Sequence, residues 1–126
     1  MTSDELVAFL NRQGMPLPQE HRQVKVLVID DDEDLLKLLG LVLRKKGHFE
    51  VITSASGIDG LLKMGAQRPD LVLLDVFMAG LDGREVLRRL RENPDLAHIG
   101  VAFMTTRLTP ALLGELQALH PIEVFK

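Results

Sequence analysis

The chain has 126 residues, of which 46% are hydrophobic and 26% charged, and its formal net charge is -3. This length and composition indicate one soluble globular domain, and so small a net charge gives no electrostatic reason to expect nucleic acid or a membrane surface as a partner. The lack of cysteine excludes disulfides and thiol chemistry, and the lack of a signal sequence or a bilayer-length apolar run predicts a cytoplasmic protein.

The first predicted element is a short helix over residues 3–13. Ser3 is expected to be its N-cap, and acidic residues follow in the first turn, where the helix dipole favours negative charge. The apolar residues of this helix share one face: Leu6, Phe9 and Leu10. Gly14 and the prolines after it end the helix, so residues 14–23 are predicted to be a linker.

Five short apolar runs predict buried strands, and the stretches between them have the apolar period of helices. The strands are predicted at 24–29, 49–53, 71–74, 99–104 and 122–125. The intervening helices are predicted at 33–46, at 57–65, around 86–90, and from Thr109 onward. Strands that alternate with helices predict a doubly wound, five-stranded parallel sheet, which binds ligands at the carboxyl ends of its strands.

Side-chain patterns also predict which helix faces are buried. The apolar face of helix 33–46, which Gly47 is expected to cap, consists of Leu35, Leu38, Leu39, Val42 and Leu43. Helix 57–65 is expected to bury Ile58, Leu61 and Leu62. The next helix carries a basic cluster beside two glutamates, which indicates a solvated face rather than a nucleic-acid surface. This cluster comprises Arg84, Arg88, Arg89 and Arg91.

Polar residues follow four of the five predicted strands. Asp30 and Asp31 follow the first strand, Asp75 ends the third, Thr105 ends the fourth and Lys126 ends the fifth. In isolation each of these residues would be an ordinary turn, cap or surface residue. Because the carboxyl ends of parallel strands share one sheet edge, the five side chains are expected to converge.

Three converging carboxylates repel one another, so either some of them are expected to be protonated or a cation is expected to bind among them. Oxygen ligands favour Mg²⁺, and Mg²⁺ with a lysine and a hydroxyl stabilises the charge of a transferring phosphoryl group. A carboxylate can also be the nucleophile that forms an aspartyl phosphate. Asp75 suits this role, since it stands alone at the end of a central strand while Asp30 and Asp31 form a pair suited to metal.

These motifs, in this order and spacing, resemble the receiver domain of two-component response regulators. The matching segments are 26–32 (VLVIDDD), 70–75 (DLVLLD), 78–83 (MAGLDG), the strand that ends on Thr105, and 124–126 (VFK). The resemblance divides the chain into an N-terminal helix and linker, 1–23, and a receiver domain, 24–126. It implies a flavodoxin-like fold with strand order 2-1-3-4-5.

The resemblance also implies a role for each site residue. Asp75 would be the phosphoacceptor. The Mg²⁺ ligands would be Asp31 directly, Asp30 mainly through water, Asp75, and the backbone carbonyl of Phe77. Thr105 would hydrogen-bond the phosphoryl oxygens, and Lys126 would pair with the phosphoryl group or with Asp75.

Four features depart from the family pattern. Ala79 stands where proline is usual, Thr106 where a small residue is usual, and Glu123 near the position of a common aromatic switch residue. The fourth departure is that the fifth, C-terminal helix is absent, which would leave an apolar sheet face open. Three explanations stay open: the N-terminal helix covers this face, a second copy covers it in a homodimer, or the chain is a fragment.

The implied function is a signalling switch rather than an enzyme acting on an external substrate. A sensor histidine kinase or a phosphotransfer protein would supply the phosphoryl group, and no direct binding to nucleic acid or membrane is expected. The alternative is a degenerate receiver that binds partners without phosphorylation. Three other classes of protein do not fit the sequence. An aspartate-nucleophile phosphatase would need an Asp where Phe77 stands, and a flavin protein would need a less acidic loop after the first strand. An EF-hand would need Gly where Leu35 stands.

Overall fold

The computed structural model describes residues 2–13 and 23–126. Their helices are α1 (Ser3–Arg12), α2 (Glu33–Gly47), α3 (Gly57–Gln67), α4 (Gly83–Glu92) and α5 (Pro110–Gln117). The strands are β1 (Lys25–Ile29), β2 (Glu50–Ser54), β3 (Leu71–Asp75), β4 (Gly100–Met104) and β5 (Glu123–Phe125). The predicted linker lies almost wholly outside the described residues. None of the helices in the described ranges has both the length and the apolarity needed to cross a bilayer.

The strands form one parallel sheet in the order β2-β1-β3-β4-β5, which confirms the predicted topology. The register aligns the carboxyl ends of the inner strands, because Ile29 pairs with Leu74, and Asp75 pairs with Met104. Met104 in turn pairs with Phe125 of β5. The residues that follow β1, β4 and β5 therefore meet Asp75 at one edge of the sheet.

Each face of the sheet carries its own apolar core. Helices α3, α4 and α5 cover one face, with Met64, Leu87, Leu90 and Leu116 all buried there. Helices α1 and α2 cover the opposite face. The strands are buried on both sides, as expected for a parallel sheet between two helical layers.

The sequence predicted no C-terminal helix and therefore an open apolar sheet face. Helix α1 covers this face. Leu6, Phe9 and Leu10 are buried against the strands, as their spacing predicts. The rings of Phe9 and Phe125 meet edge to face, with centroids 5.0 Å apart. At the start of the helix the N-cap is Thr2 rather than the predicted Ser3, because the Thr2 side chain accepts the Glu5 N–H.

Helix α3 is rotated relative to the prediction. Ile58 and Leu62, expected to be buried, are 63% and 68% exposed. The buried side of the helix instead carries Gly57, Gly60 and Met64. A Cβ on Gly60 would lie 2.5 Å from Ile29 Cδ1, so this glycine lets the helix approach β1 more closely than a leucine face could.

Helix α2 departs from prediction in the same way on a smaller scale. Leu38, expected on the buried face, is 57% exposed. The buried side consists of Leu36, Leu39, Gly40 and Leu43. The C-cap is His48 in the left-handed conformation (φ 56°) rather than Gly47. Gly47 has a packing role instead, since a Cβ there would lie 2.1 Å from the Phe49 ring.

Candidate functional site

A cleft of about 380 Å³ opens at the carboxyl ends of the strands. Its polar lining includes all five side chains that the sequence analysis singled out: Asp30, Asp31, Asp75, Thr105 and Lys126. Its apolar wall, which the sequence analysis did not predict, consists of Leu35, Leu39, Met104 and Phe125. The convergence expected from the topology is therefore present in the fold.

Three of the residues that line this cleft carry carboxylates close to one another. One carboxylate oxygen from each of Asp30, Asp31 and Asp75 lies within 4.8 Å of the other two. The position of Asp30 is set by two hydrogen bonds: its backbone N–H donates to the Ser54 carbonyl at 3.0 Å, and its Oδ1 accepts the Asp32 N–H at 2.9 Å. This spacing and chemistry are those of a hard-cation site.

The cluster changes the proton affinity of its members. Burial, together with the charges of Asp30 and Asp31, raises the pKa of Asp75 to about 7, although N–H groups of Phe77 and Val76 oppose this shift. Burial also raises the pKa of Asp30, and the neighbouring Asp31 and Asp32 add to this shift. Without a cation Asp75 therefore takes up a proton as the pH falls through about 7, and a bound cation would displace this proton.

Thr105 and Lys126 reach the cleft from the opposite side. Thr105 is buried; its backbone N–H donates to the Phe125 carbonyl at 3.0 Å, and its Oγ1 accepts the Arg107 N–H at 3.1 Å. Lys126 is exposed and directly follows the edge strand β5. Thr105 and Lys126 thus line the same cleft as the three carboxylates.

The loop after β3 returns the chain to Asp75 in a tight turn. Gly80 has a positive φ of 77°, and Asp82 begins α4 as its N-cap by accepting the Arg84 N–H at 2.9 Å. The Gly83 N–H donates to the Val76 carbonyl at 2.9 Å. A Cβ on Gly83 would lie 2.2 Å from the Asp75 carbonyl oxygen, so only glycine fits this approach.

Arg84 has a role that the sequence analysis did not predict. Its guanidinium lies 2.7 Å from Asp82 and 3.2 Å from Glu115, and it stacks 5.4 Å from the centre of the Phe77 ring. Burial alone would raise the pKa of Asp82, but the hydrogen bonds from Arg84 outweigh it and lower this pKa. Arg84 therefore ties the loop after β3 to helix α5. The sequence feature that pointed to this role is that Arg84 stands two residues after Asp82.

Arg91 also departs from the solvated basic face expected for α4. Its guanidinium donates to the carbonyls of Ala97 and Ile99, both at 2.8 Å, and burial lowers its pKa. By contrast, Arg88 and Arg89 make only exposed pairs with Glu85, as expected. Arg91 thus contributes to the loop between α4 and β4 rather than to a charged surface.

A doubly wound parallel sheet in this strand order, with an acidic cluster at its carboxyl edge that could hold a cation, defines a flavodoxin-like protein. The family model of the response regulator receiver domain matches residues 26–119, and the chain belongs to this family. It is thus a receiver domain of two-component signalling.

Individual relatives agree with this assignment. The chain is 48% identical over 71 residues to the transcriptional regulatory protein AfsQ1 of Streptomyces coelicolor, a match that covers 56% of this chain and 31% of AfsQ1. The chain spans between 18% and 31% of the length of the first curated relatives it matches.

Solved structures show the same fold. The chemotaxis protein CheY4 of Vibrio cholerae has a TM-score of 0.76 and 26% identity, with 82% of this chain and 85% of CheY4 covered. The phosphorylated cyanobacterial phytochrome response regulator RcpA has a TM-score of 0.74 and 26% identity, with 83% of this chain and 81% of RcpA covered.

Proposed function

We propose that this chain is a phosphoacceptor receiver domain in which Asp75 takes a phosphoryl group from a sensor histidine kinase or a phosphotransfer protein. The observation that carries the proposal is the proximity of the Asp75, Asp30 and Asp31 carboxylates, within 4.8 Å, in a cleft that Thr105 and Lys126 also line. Family membership and the phosphorylated state of the similar RcpA support it.

In the proposed reaction, an Asp75 carboxylate oxygen attacks the phosphorus of a phosphohistidine. The new O–P bond forms as the P–N bond breaks, and the imidazole leaves with the electron pair and takes up a proton. Asp75 must be ionised to attack, which the raised pKa of this carboxyl opposes in the metal-free protein. The chain is thus a substrate of its partner and at most assists its own phosphorylation and dephosphorylation.

Mg²⁺ is the proposed cofactor, because three carboxylates within 4.8 Å of one another favour a cation, and oxygen ligands suit a hard one. Asp31 and Asp75 would bind it directly, Asp30 mainly through water, and the backbone carbonyl of Phe77 would complete the protein ligands. When bound, Mg²⁺ neutralises charge on the transferring phosphoryl group. Asp31 is held for this by the Ala79 N–H, 3.4 Å from its Oδ2.

On the other side of the cleft, Thr105 would hydrogen-bond the phosphoryl oxygens and Lys126 would pair with their charge. Phosphorylation would then change partner binding near α5 and β5. Glu123 is exposed at the start of β5, and its carboxylate accepts the Val124 N–H at 3.0 Å. The proposed switch therefore works through Thr105 without an aromatic residue at position 123.

The test is phosphorylation of the purified chain by a small phosphodonor with Mg²⁺, measured by intact mass. We expect one phosphoryl group on the wild type, none on Asp75→Ala, and normal modification of the control Asp95→Asn, which changes an exposed aspartate outside the cleft. An unmodified wild type would contradict the proposal. If Mg²⁺ still bound to that unmodified protein, the result would favour a phosphorylation-independent interaction module.

A further inference from the structure

Strand β5 has few constraints on its position. It is a three-residue edge strand, paired only with β4 among the described strands, yet it carries Lys126 directly after its last residue. Its backbone also reaches Thr105, whose N–H donates to the Phe125 carbonyl at 3.0 Å. Phe125 is thus joined to both residues, to Lys126 by the chain and to Thr105 by this hydrogen bond.

Phe125 is only partly buried, and its ring packs against Phe9 of helix α1. The Phe9 ring meets it edge to face, at 5.0 Å between centroids and 89° between planes, the geometry that aromatic pairs prefer. Phe9 itself is 3% exposed, between the buried Leu6 and Leu10 of the same helix. The end of β5 is thus packed against a side chain from the opposite terminus of the chain.

We infer that Phe9 is a positioning residue for the phosphoryl site, acting through Phe125 on Lys126 and Thr105. This inference rests on the proposed function and adds to it an element outside the segment 26–119 that the family model matches. Phe9 shares an apolar cluster with residues of β1 and β3, but the three carboxylates are not attached to β5. They follow β1 and end β3, which are inner strands fixed by neighbours on both sides.

Substitution of Phe9 is therefore expected to change the rate of phosphorylation much more than the Mg²⁺ affinity. Phe9→Ala should leave the Mg²⁺ affinity within about twofold of the wild type, because the three carboxylates are carried by inner strands that are hydrogen-bonded on both sides. It should slow phosphorylation of Asp75 by a small phosphodonor about tenfold, since small displacements of charge-stabilising groups are costly in rate. Phe9→Met should restore most of the rate, because methionine fills the space and contacts an aromatic ring favourably.

The matched control is Leu6→Ala, which removes a fully buried side chain from the same helix. The rate is followed by intact mass and Mg²⁺ binding by calorimetry, since the chain has no Trp or Tyr for fluorescence. NMR of the Thr105 amide gives a readout that needs no phosphorylation. This signal should move in Phe9→Ala far more than in Leu6→Ala, because the amide bonds directly to Phe125.

A wild-type rate in Phe9→Ala would overturn the inference. So would equal losses in Phe9→Ala and Leu6→Ala, which would indicate a purely structural role for α1. Parallel losses of Mg²⁺ affinity and rate in Phe9→Ala would overturn it as well. If the wild type itself took no phosphoryl group, the proposed function would fail, and the Thr105 amide would still decide whether Phe9 positions the end of β5.

Discussion

At the scale of single residues, Asp75 is subject to opposing influences. Burial and two neighbouring carboxylates disfavour its charge, whereas the N–H groups that follow it in the chain favour it. The balance puts its pKa at about 7 in the metal-free protein, within the range of ordinary buffers. Proton release and the proposed binding of a cation at this site would therefore be coupled.

This coupling predicts how Mg²⁺ affinity depends on pH. Since Asp75 must lose its proton to act as the proposed ligand, Mg²⁺ affinity should rise about tenfold between pH 6 and pH 8 and level off above that. Calorimetric titration across this range measures the effect. In Asp75→Asn the rise should be much flatter, and an equally steep rise there would contradict the assignment of the titration to Asp75.

The same pKa has a consequence for stability. The folded-state pKa of Asp75 lies above the ordinary value of 3.8, so the stability it contributes is present below about pH 4 and is lost as pH rises through about 7. Asp75→Asn should therefore raise the Tm of the metal-free protein, and more at pH 8 than at pH 5. Thermal unfolding in the presence of a chelator tests this. A larger gain in Tm at pH 5 than at pH 8 would contradict this explanation.

At the scale of elements, glycines determine how closely segments approach one another around the site. Gly60 brings α3 against Ile29, and Gly83 brings the start of α4 against the Asp75 carbonyl. Gly65, in contrast, lies on the exposed side of α3, where an added Cβ would meet no atom of the described residues within 4 Å. The same residue type thus has a packing role at two positions and none at the third.

Alanine substitution should separate these roles. Gly83→Ala is expected to cost about 1–3 kcal/mol of unfolding free energy, since the added methyl must displace backbone beside Asp75. Gly65→Ala is expected to stabilise the protein by about 0.4–1 kcal/mol, because it restricts the unfolded chain without a clash. Denaturant unfolding measures both, and a neutral Gly83→Ala would show that the turn has more room than its geometry indicates.

At the scale of the whole molecule, helix α1 is part of the core rather than an appendage. Leu6, Phe9 and Leu10 pack in the same cluster as residues of β1, β3 and β4, beside α2. The contact of α1 with α2 also includes an ion pair, Asp4 to Lys46 at 2.9 Å, but its Asp4 side chain is 84% exposed. Apolar burial therefore holds this helix, and the exposed ion pair adds little.

Two substitutions in α1 test whether apolar burial contributes more to stability than the exposed ion pair. Leu10→Ala should destabilise the protein by about 2–4 kcal/mol, as for other buried leucines. Asp4→Ala should change stability by less than about 0.5 kcal/mol, because solvent screens the ion pair. Denaturant unfolding of both variants gives the comparison. Similar effects from the two variants would mean that α1 is not packed against the sheet as described.

The alternation of apolar runs and helical periods by itself determined a parallel, doubly wound sheet, and hence which residues would meet at one sheet edge. Asp30, Asp31, Asp75, Thr105 and Lys126 could be singled out because each follows a strand, and strand ends are local signals in a parallel sheet. Helix faces were harder to predict. Periodicity weighs leucines above glycines, so it favoured Ile58 and Leu62 where the fold buries Gly57 and Gly60.

Only the tertiary structure determined which elements pack against the strand ends and against the apolar face of the first helix. The spacing of Leu6, Phe9 and Leu10 predicted an apolar face but left open whether this helix or a second copy of the chain covers the sheet. Only the packed chain shows α1 in that place and Phe9 against Phe125. The reason is physical: a strand end depends on residues adjacent in sequence, whereas the partner of an apolar face is selected by shape and burial across the whole fold.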